Sequence, residues 1–186
     1  MRKIKLTCAL LTLAGLVFLV NNFLSQNSQA ATMLDDRVNA HWKGSASFSP
    51  VGAGPNVARC GAFPENVEVT FAGSGLDSGG GAFNNSTSAC TNTTTGLIFD
   101  LKATDTYTTG GGSIFIESDP VTPVLNPETC VSTNSQAVNF RVAGGTGTYA
   151  GATGQGRYHI ATNDTACNGL AQPTRVWFEG VIKLAQ

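Results

Sequence analysis

The stretch VNFRVAGGTGTYAGATGQGRYHI, residues 138–160, decides how this chain folds. Val138, Phe140 and Val142 alternate with polar residues, a spacing that places every second side chain on one buried face of a β-strand. Glycine, threonine and alanine then follow, the residues of a tight turn that needs positive φ. The alternation resumes at Tyr158 and Ile160. The stretch therefore predicts two strands with a tight glycine turn between them.

The same alternation recurs along most of the chain. It is present in residues 42–48, 67–71, 97–101, 114–116 and 176–184. Clusters of Gly, Pro, Asn and Ser separate these runs, and the triplet at residues 110–112 is the clearest hairpin signal. Apolar residues do not recur at helical spacing over three turns, so we expect almost no helix. The pattern predicts an all-β fold, either a sandwich or a small antiparallel β-barrel of about eight strands. We favour the barrel because closure removes exposed strand edges.

Two polar segments are predicted to be loops. Residues 84–95 are low-complexity sequence, and residues 119–129 contain three prolines, which lack the N–H group that a central strand needs. Four asparagines, at positions 84, 85, 92 and 163, each begin an N-x-Ser/Thr sequon. We interpret these asparagines as exposed.

The N-terminus has the organisation of a signal peptide. Basic residues at positions 2, 3 and 5 precede an uncharged apolar run over residues 6–20, and small residues follow at Ala30 and Ala31. The alternative, an uncleaved membrane anchor, is disfavoured because the apolar run is short for a bilayer span. We therefore expect residues 1–31 to be removed and residues 32–186 to form a single domain. That domain would be secreted or periplasmic, with no membrane association of its own.

Charge and motifs exclude several function classes. Removal of the three basic residues leaves eight basic and twelve acidic residues, a net charge of −4 without a basic cluster, which argues against nucleic acid as a partner. Gly145, Gly147 and Ala150 formally match a dinucleotide fingerprint, but a strand rather than a helix is predicted after them. No G-x-S-x-G motif occurs, and two isolated histidines do not make a metal site. We predict no cofactor, no metal and no catalytic set.

The cysteines predict disulfide bonds. Cys8 leaves with the signal peptide, so the mature chain keeps four cysteines, namely Cys60, Cys90, Cys130 and Cys167. An exported chain with an even number of cysteines and no CxxC spacing favours two disulfides. Three connectivities are open, and we expect the sequential one, Cys60 with Cys90 and Cys130 with Cys167. Each such bond closes a loop that contributes roughly 3 to 4 kcal/mol in the chain-entropy model.

Charged and aromatic residues near the C-terminus form one candidate pocket. By parity Arg157 and His159 share one strand face, and Arg175, Trp177 and Glu179 share one face of the last strand. If this face lined the barrel interior, it would make a polar pocket. The alternative is a solvent face with ion pairs, which we favour because Lys183 has the same parity and charged side chains mostly stay hydrated.

The glycine-rich segment also resembles a known family. Residues 140–147 followed by 149–154 are similar to the "GGTG-x-[FY]-x-GA-x-G" segment of the allene oxide cyclase and dirigent barrel superfamily. The resemblance covers about half of the mature chain and does not reach residues 31–95. It implies an eight-stranded antiparallel barrel, commonly a trimer, with a cavity for an apolar or aromatic small molecule. No catalytic residue is transferred, because no motif here aligns with the early strands that carry the family's functional residues.

Two functional classes remain open. The protein could be a non-catalytic binding or structural module for a small apolar or aromatic ligand. It could also be an isomerase or cyclase that steers a reactive apolar substrate, with Glu68 or Glu179 as a polarising carboxylate. A buried carboxylate beside an open apolar cavity would favour the enzyme, whereas a filled barrel would favour the module.

The signal peptide gives the first testable prediction. We expect the exported protein to begin at Ala31 or Thr32, because the small-residue step follows the apolar run at a normal distance. N-terminal sequencing of exported material checks this expectation. A sequence that begins at Met1 or Arg2 would refute it.

Overall fold

A computed structural model describes residues 40–163, 167 and 174–185, so the predicted signal peptide lies outside the described residues. These residues form ten β-strands and one helix of four residues. The strands are β1 Ala40–Gly54, β2 Asn66–Asp77, β3 Gly81–Asn92, β4 Ile98–Tyr107, β5 Gly112–Ser118, β6 Val124–Asn126, β7 Val131–Thr133, β8 Val138–Gly147, β9 Thr153–Asn163 and β10 Thr174–Lys183. Helix α1 is Val57–Cys60. In this part of the chain no helix is long and apolar enough to cross a membrane.

Eight strands close into an antiparallel barrel. Their order around it is β10-β1-β2-β3-β4-β5-β8-β9, and β9 pairs with β10 to complete the circle. Strands β6 and β7 form a small hairpin that attaches to β9 beyond the end of β8. The structure therefore confirms the prediction of an all-β fold and selects the barrel over the sandwich.

The barrel has two different ends. Tight turns at residues 78–80, 108–111 and 148–152 join strands at one end, which we call the hairpin end. The other end, the loop end, carries the longer connections from β1 to β2, from β5 to β8 and from β9 to β10. Both predicted disulfides are present with sequential pairing. Cys60–Cys90 joins α1 to β3, and Cys130–Cys167 joins the residue before β7 to the β9–β10 connection, so both bonds brace the loop end.

The prediction of a loop at residues 84–95 is wrong, because most of it belongs to strand β3. The inward residues of β3 are Phe83, Asn85, Thr87 and Ala89, all buried, so the interpretation of Asn85 as exposed is also wrong. Two of these are polar, so the strand lacks the apolar alternation that identified its neighbours. Within the other predicted loop, residues 119–129, the short strand β6 forms.

The predicted inward face of residues 97–101 also needs correction. The register between β3 and β4 shifts at a bulge between Ser88 and Cys90, and Asp100 in the opposing strand has a φ of 46°. A bulge places one extra residue in a strand and so reverses the alternation beyond it. Ile98 and Leu101 consequently both line the barrel interior, although their positions differ in parity.

Glycines on the inner face make room for aromatic rings. A Cβ atom at Gly44 would lie 2.3 Å from Phe178 Cζ, and a Cβ atom at Gly156 would lie 2.4 Å from Phe140 Cζ. Both distances are far below van der Waals contact, so the two rings occupy space that any side chain at these glycines would need. These two glycines therefore leave the space that the rings of Phe178 and Phe140 need inside the barrel.

The glycine-rich turn of residues 144–152 behaves as predicted. Gly147 has a φ of +58°, and a Cβ atom there would lie 1.9 Å from the carbonyl oxygen of Gly111. At Gly145 a Cβ atom would lie 2.4 Å from the carbonyl oxygen of Tyr149. Strand β9 follows this turn. The glycines therefore allow the β8–β9 hairpin to approach the β4–β5 hairpin closely.

The ring and glycine packing predicts a sharp difference between two substitutions. A Cβ atom at Gly75 would lie 2.3 Å from Phe83 Cζ and 2.6 Å from the carbonyl oxygen of Ser45, whereas at Gly54 it would meet nothing within 4 Å. We expect Gly75→Ala to lower the free energy of unfolding by about 1 to 3 kcal/mol through overpacking. The matched control Gly54→Ala should leave it within about 0.5 kcal/mol. Urea denaturation of both variants checks this, and equal stability of the two would contradict the packing.

Candidate functional site

The barrel encloses a cavity of about 190 Å³, which we call the lumen. Side chains from all eight barrel strands line it, and most of them are apolar. The aromatic lining consists of Trp42, Phe48, Phe71, Phe83, Phe140, Tyr158 and Phe178. An apolar cavity of about 150 Å³ is large enough to bind benzene. The lumen therefore has room for one small substituted ring.

Stacked rings form the floor of the lumen towards the hairpin end. The ring centroids of Trp42 and Phe178 are 4.6 Å apart, and those of Phe83 and Phe178 are 6.2 Å apart. Below them Tyr107 stacks on Tyr149, and the Tyr107 hydroxyl donates a hydrogen bond of 2.5 Å to Asp77 Oδ2. Aromatic pairs at these separations stabilise each other beyond simple burial. The hairpin end is thus filled, and free space begins above this layer.

One polar cluster, formed by Asp105, Asn85 and Thr87, lies on the wall of the lumen. Asn85 of β3 and Asp105 of β4 are direct register partners, and only 3% of Asp105 is exposed. Asn85 Nδ2 donates a hydrogen bond of 2.6 Å to Asp105 Oδ1. Thr87 Oγ1 donates one of 2.7 Å to Asn85 Oδ1. The cluster therefore holds a carboxyl group in a fixed orientation beside apolar space.

The surroundings of Asp105 change its acidity. Burial raises the pKa of the carboxyl group to about 7, although the hydrogen bond from Asn85 acts in the opposite direction, and the negative charge of Asp77 adds to the increase. The described residues that line the lumen include no Lys, Arg or His that would compensate an ionised carboxylate. Near neutral pH the group is therefore poised between its neutral and its charged form.

Two further pairs of polar side chains in the lumen are hydrogen-bonded to each other, whereas the indole Nε1 of Trp42 is buried without a hydrogen-bond partner among the described residues. Ser118 Oγ and the Tyr158 hydroxyl share a hydrogen bond of 3.1 Å, and the hydroxyls of Thr162 and Thr174 share one of 3.0 Å. Burial raises the pKa of Tyr158, so its hydroxyl stays neutral around physiological pH. Among the described ionisable groups of the lumen, Asp105 is consequently the one best suited to respond to a bound molecule.

The residues of the predicted C-terminal pocket lie on the outer face of the barrel. Arg157, His159, Arg175, Trp177 and Glu179 are all exposed, and Trp177 keeps 48% of its surface accessible. Glu179 lies 3.4 Å from the Arg157 guanidinium and 3.6 Å from the Lys43 ammonium. These residues do not line the lumen, because their strand positions alternate with the inward ones. The structure thus shows a solvent face with ion pairs here, and Arg157 and Glu179 line an open pocket on the outer face instead of the lumen.

Glu68, the remaining candidate, takes part in an ion-pair network near the loop end. Arg59 Nη1 donates to Glu68 Oε1 at 2.5 Å, and Arg59 Nε donates to Asp100 Oδ2 at 2.5 Å. The Asn56 amide and the Arg59 guanidinium lower the pKa of Glu68, and Arg59 also lowers that of Asp100. This network ties α1 to β2 and β4. Neither Glu68 nor Glu179 is placed to polarise a molecule in the lumen.

The polar cluster was missed because Asn85 and Thr87 lie in the segment interpreted as a loop, and the alternation recognised at residues 97–101 ends before Asp105. One signal could have found it: Leu101, Ala103, Asp105 and Tyr107 share one parity, which places an aspartate within an otherwise inward-facing row. A carboxylate at such a position is buried and therefore needs an explanation.

Comparisons with known proteins do not identify a family for this chain. No family model matches the chain, and neither does a curated protein or a solved structure. The resemblance to the allene oxide cyclase and dirigent superfamily therefore stays a prediction. Within residues 40–163, 167 and 174–185, no group of three or more His, Cys, Asp or Glu side chains is placed to hold a metal ion.

The raised pKa of Asp105 predicts an unusual dependence of stability on pH. The unfolded chain releases this proton near pH 4 and the folded chain near pH 7, so the folded state binds the proton more tightly. Its stabilising effect is complete below about pH 4 and is lost as the pH rises to about 7. As the pH rises from about 5 to about 8, we expect Asp105→Asn to gain about 3 kcal/mol of stability relative to the parent protein.

Urea denaturation at several pH values measures this difference. Glu128→Gln, which alters an exposed carboxylate, is the control and should show the same pH profile as the parent protein. Parallel profiles for Asp105→Asn and the parent would show that Asp105 titrates normally.

Proposed function

We propose that this chain is an exported binding protein of the allene oxide cyclase and dirigent type, whose lumen holds one small apolar or aromatic molecule. The observation that carries the proposal is the apolar cavity of about 190 Å³ inside the barrel. Protein interiors are ordinarily packed to crystal density, so a lumen of this size departs from the rule. Its lining of rings and aliphatic side chains matches the composition of ligand pockets.

The affinity of such a site follows from the area that it buries. A ligand ring that buries about 150 Å² of apolar surface gains about 4 kcal/mol. That free energy corresponds to a Kd of about 1 mM before any polar contact is made. A hydrogen bond to the Asp105 cluster adds to it, since the group is already desolvated and oriented.

Disulfides support a site of action outside the cytoplasm. Two bonds brace the loop end, and such bonds form and persist in oxidising compartments. Together with the predicted signal peptide they favour a secreted or periplasmic protein. The trimer implied by the resemblance stays a prediction, which native mass spectrometry of the exported protein addresses.

Asp105 favours a second candidate, an isomerase or cyclase. A buried carboxyl group beside an apolar cavity is the arrangement that distinguishes this class, and a pKa of about 7 suits general acid or base catalysis near neutral pH. The protonated carboxyl would polarise an oxygen atom of the substrate, a role that Glu68 and Glu179 cannot take from the outer face. Stereoselective turnover of a small unsaturated epoxide or phenoxy-type substrate, abolished by Asp105→Asn, would place the protein in this class.

The binding proposal is tested by filling the lumen. Ala103 lines the cavity, whereas Ala72 is exposed on the outer face of β2. We expect toluene or benzyl alcohol to bind the parent protein, and Ala103→Leu to weaken this binding about tenfold or more by occupying the space. The matched control Ala72→Leu should bind as the parent does.

Calorimetric titration measures the affinities, and circular dichroism checks that both variants keep the fold. Binding that is absent in the parent, or that is equal in both variants, would remove the lumen as the site.

A further inference from the structure

We propose that the lumen selects small organic cations, molecules with one aromatic or apolar body and one ammonium group that pairs with the Asp105 carboxylate. This inference rests on the proposed binding function and names the ligand class of that same site. Three features of the described residues carry it: the direction of the hydrogen bonds in the polar cluster, the sign of the lumenal charge, and the rings that surround it.

The hydrogen bonds of the cluster all point towards Asp105. Thr87 donates to the Asn85 carbonyl, and the Asn85 amide donates to Asp105 Oδ1. Among the described residues, no side chain donates to the second carboxylate oxygen, Oδ2. An ionised carboxylate only accepts hydrogen bonds. A molecule that pairs with the ionised form of Asp105 must therefore bring a donor.

The charge of the lumen has one sign. Asp105 contributes a carboxylate, Asp77 below the floor adds to the negative potential at it, and no basic residue is among the described lining residues. A buried charge is tolerated when an opposite charge pairs with it. An anionic ligand would instead bring a second negative charge into the same desolvated space. The electrostatics thus favour a cation and disfavour a carboxylate ligand.

Aromatic rings complete the site. Phe83 lies two residues before Asn85 on the same face of β3, and Phe140 and Phe178 line the same cavity. The faces of aromatic rings carry negative potential and attract ammonium groups. A neutral ligand would use these rings only as apolar surface, whereas a cation uses them and the carboxylate together.

The charged and titratable groups around Asp105 are few. Asp77 of β2 acts on it from below the floor, Tyr107 lies on its own strand, and Tyr158 lines the lumen from β9. Among the described inward side chains of β1, β3, β5, β8 and β10, none carries a group that titrates. Burial raises the pKa of both tyrosines, which therefore stay neutral. Binding of an ammonium ligand should accordingly strengthen as the pH rises through about 7.

Three benzyl probes of similar shape test the inference: benzylammonium, benzyl alcohol and benzoate. At about pH 8 we expect benzylammonium to bind about tenfold more tightly than benzyl alcohol, and benzoate about tenfold more weakly. Asp105→Asn should remove the preference for the ammonium and leave the affinity for benzyl alcohol within about threefold. Glu179→Gln, which neutralises an outer-face carboxylate, should keep the preference. Calorimetric titration gives all of these affinities.

The outcomes separate the inference from the function on which it rests. If benzyl alcohol and benzylammonium both fail to bind, the proposed binding function is wrong. If benzyl alcohol binds and benzylammonium binds no more tightly, the cation inference alone is overturned. It is also overturned if Glu179→Gln, rather than Asp105→Asn, removes the preference.

A further measurement uses only the parent protein, so it does not require that any variant folds. The affinity for benzylammonium should rise severalfold between about pH 6 and pH 8, while that for benzyl alcohol stays level or falls. The same pH profile for both probes would overturn the inference.

Discussion

Packing of large rings against inward-facing glycines is the constraint on which the rest of this structure depends. A barrel of eight strands has an interior just wide enough for side chains to fill or for one small ligand. Here the rings of Phe83, Phe140 and Phe178 lie where a side chain at Gly75, Gly156 or Gly44 would have to be. The rings take up the hairpin end so completely that the remaining free volume collects above them.

The two ends of the barrel therefore differ in structure. The hairpin end is a rigid floor of stacked rings and tight turns. At the loop end, two disulfides and the Arg59 network hold long connections in place without filling the interior. Because these bonds hold the loop end from outside the barrel, an apolar lumen remains open between the strands. Asp105 gains its properties from this arrangement, because only a group walled in by rings and aliphatic side chains is desolvated enough to keep its proton near neutral pH.

Much of the fold could be predicted from the sequence, and the site could not. Strands such as β8 and β10 were identified because Val138, Phe140 and Val142, or Val176 and Phe178, alternate with exposed residues. Strand β3 was missed because a lumenal wall with Asn85 and Thr87 does not show that pattern. The sequence analysis instead selected the aromatic Trp177 and the charged Glu179 as candidate pocket residues. Parity shows that such residues share a face, but only the closed barrel shows that the face is the outer one.

Direct observation of a molecule in the lumen tests the account most sharply. A crystal of the protein soaked with iodobenzene would locate the iodine atom by its anomalous scattering. The account predicts one dominant site inside the barrel, above the layer of Phe83 and Phe178 and beside Asp105. Iodine found only on the outer face, for example against the exposed Trp177, with the lumen closed by rearranged side chains, would contradict it.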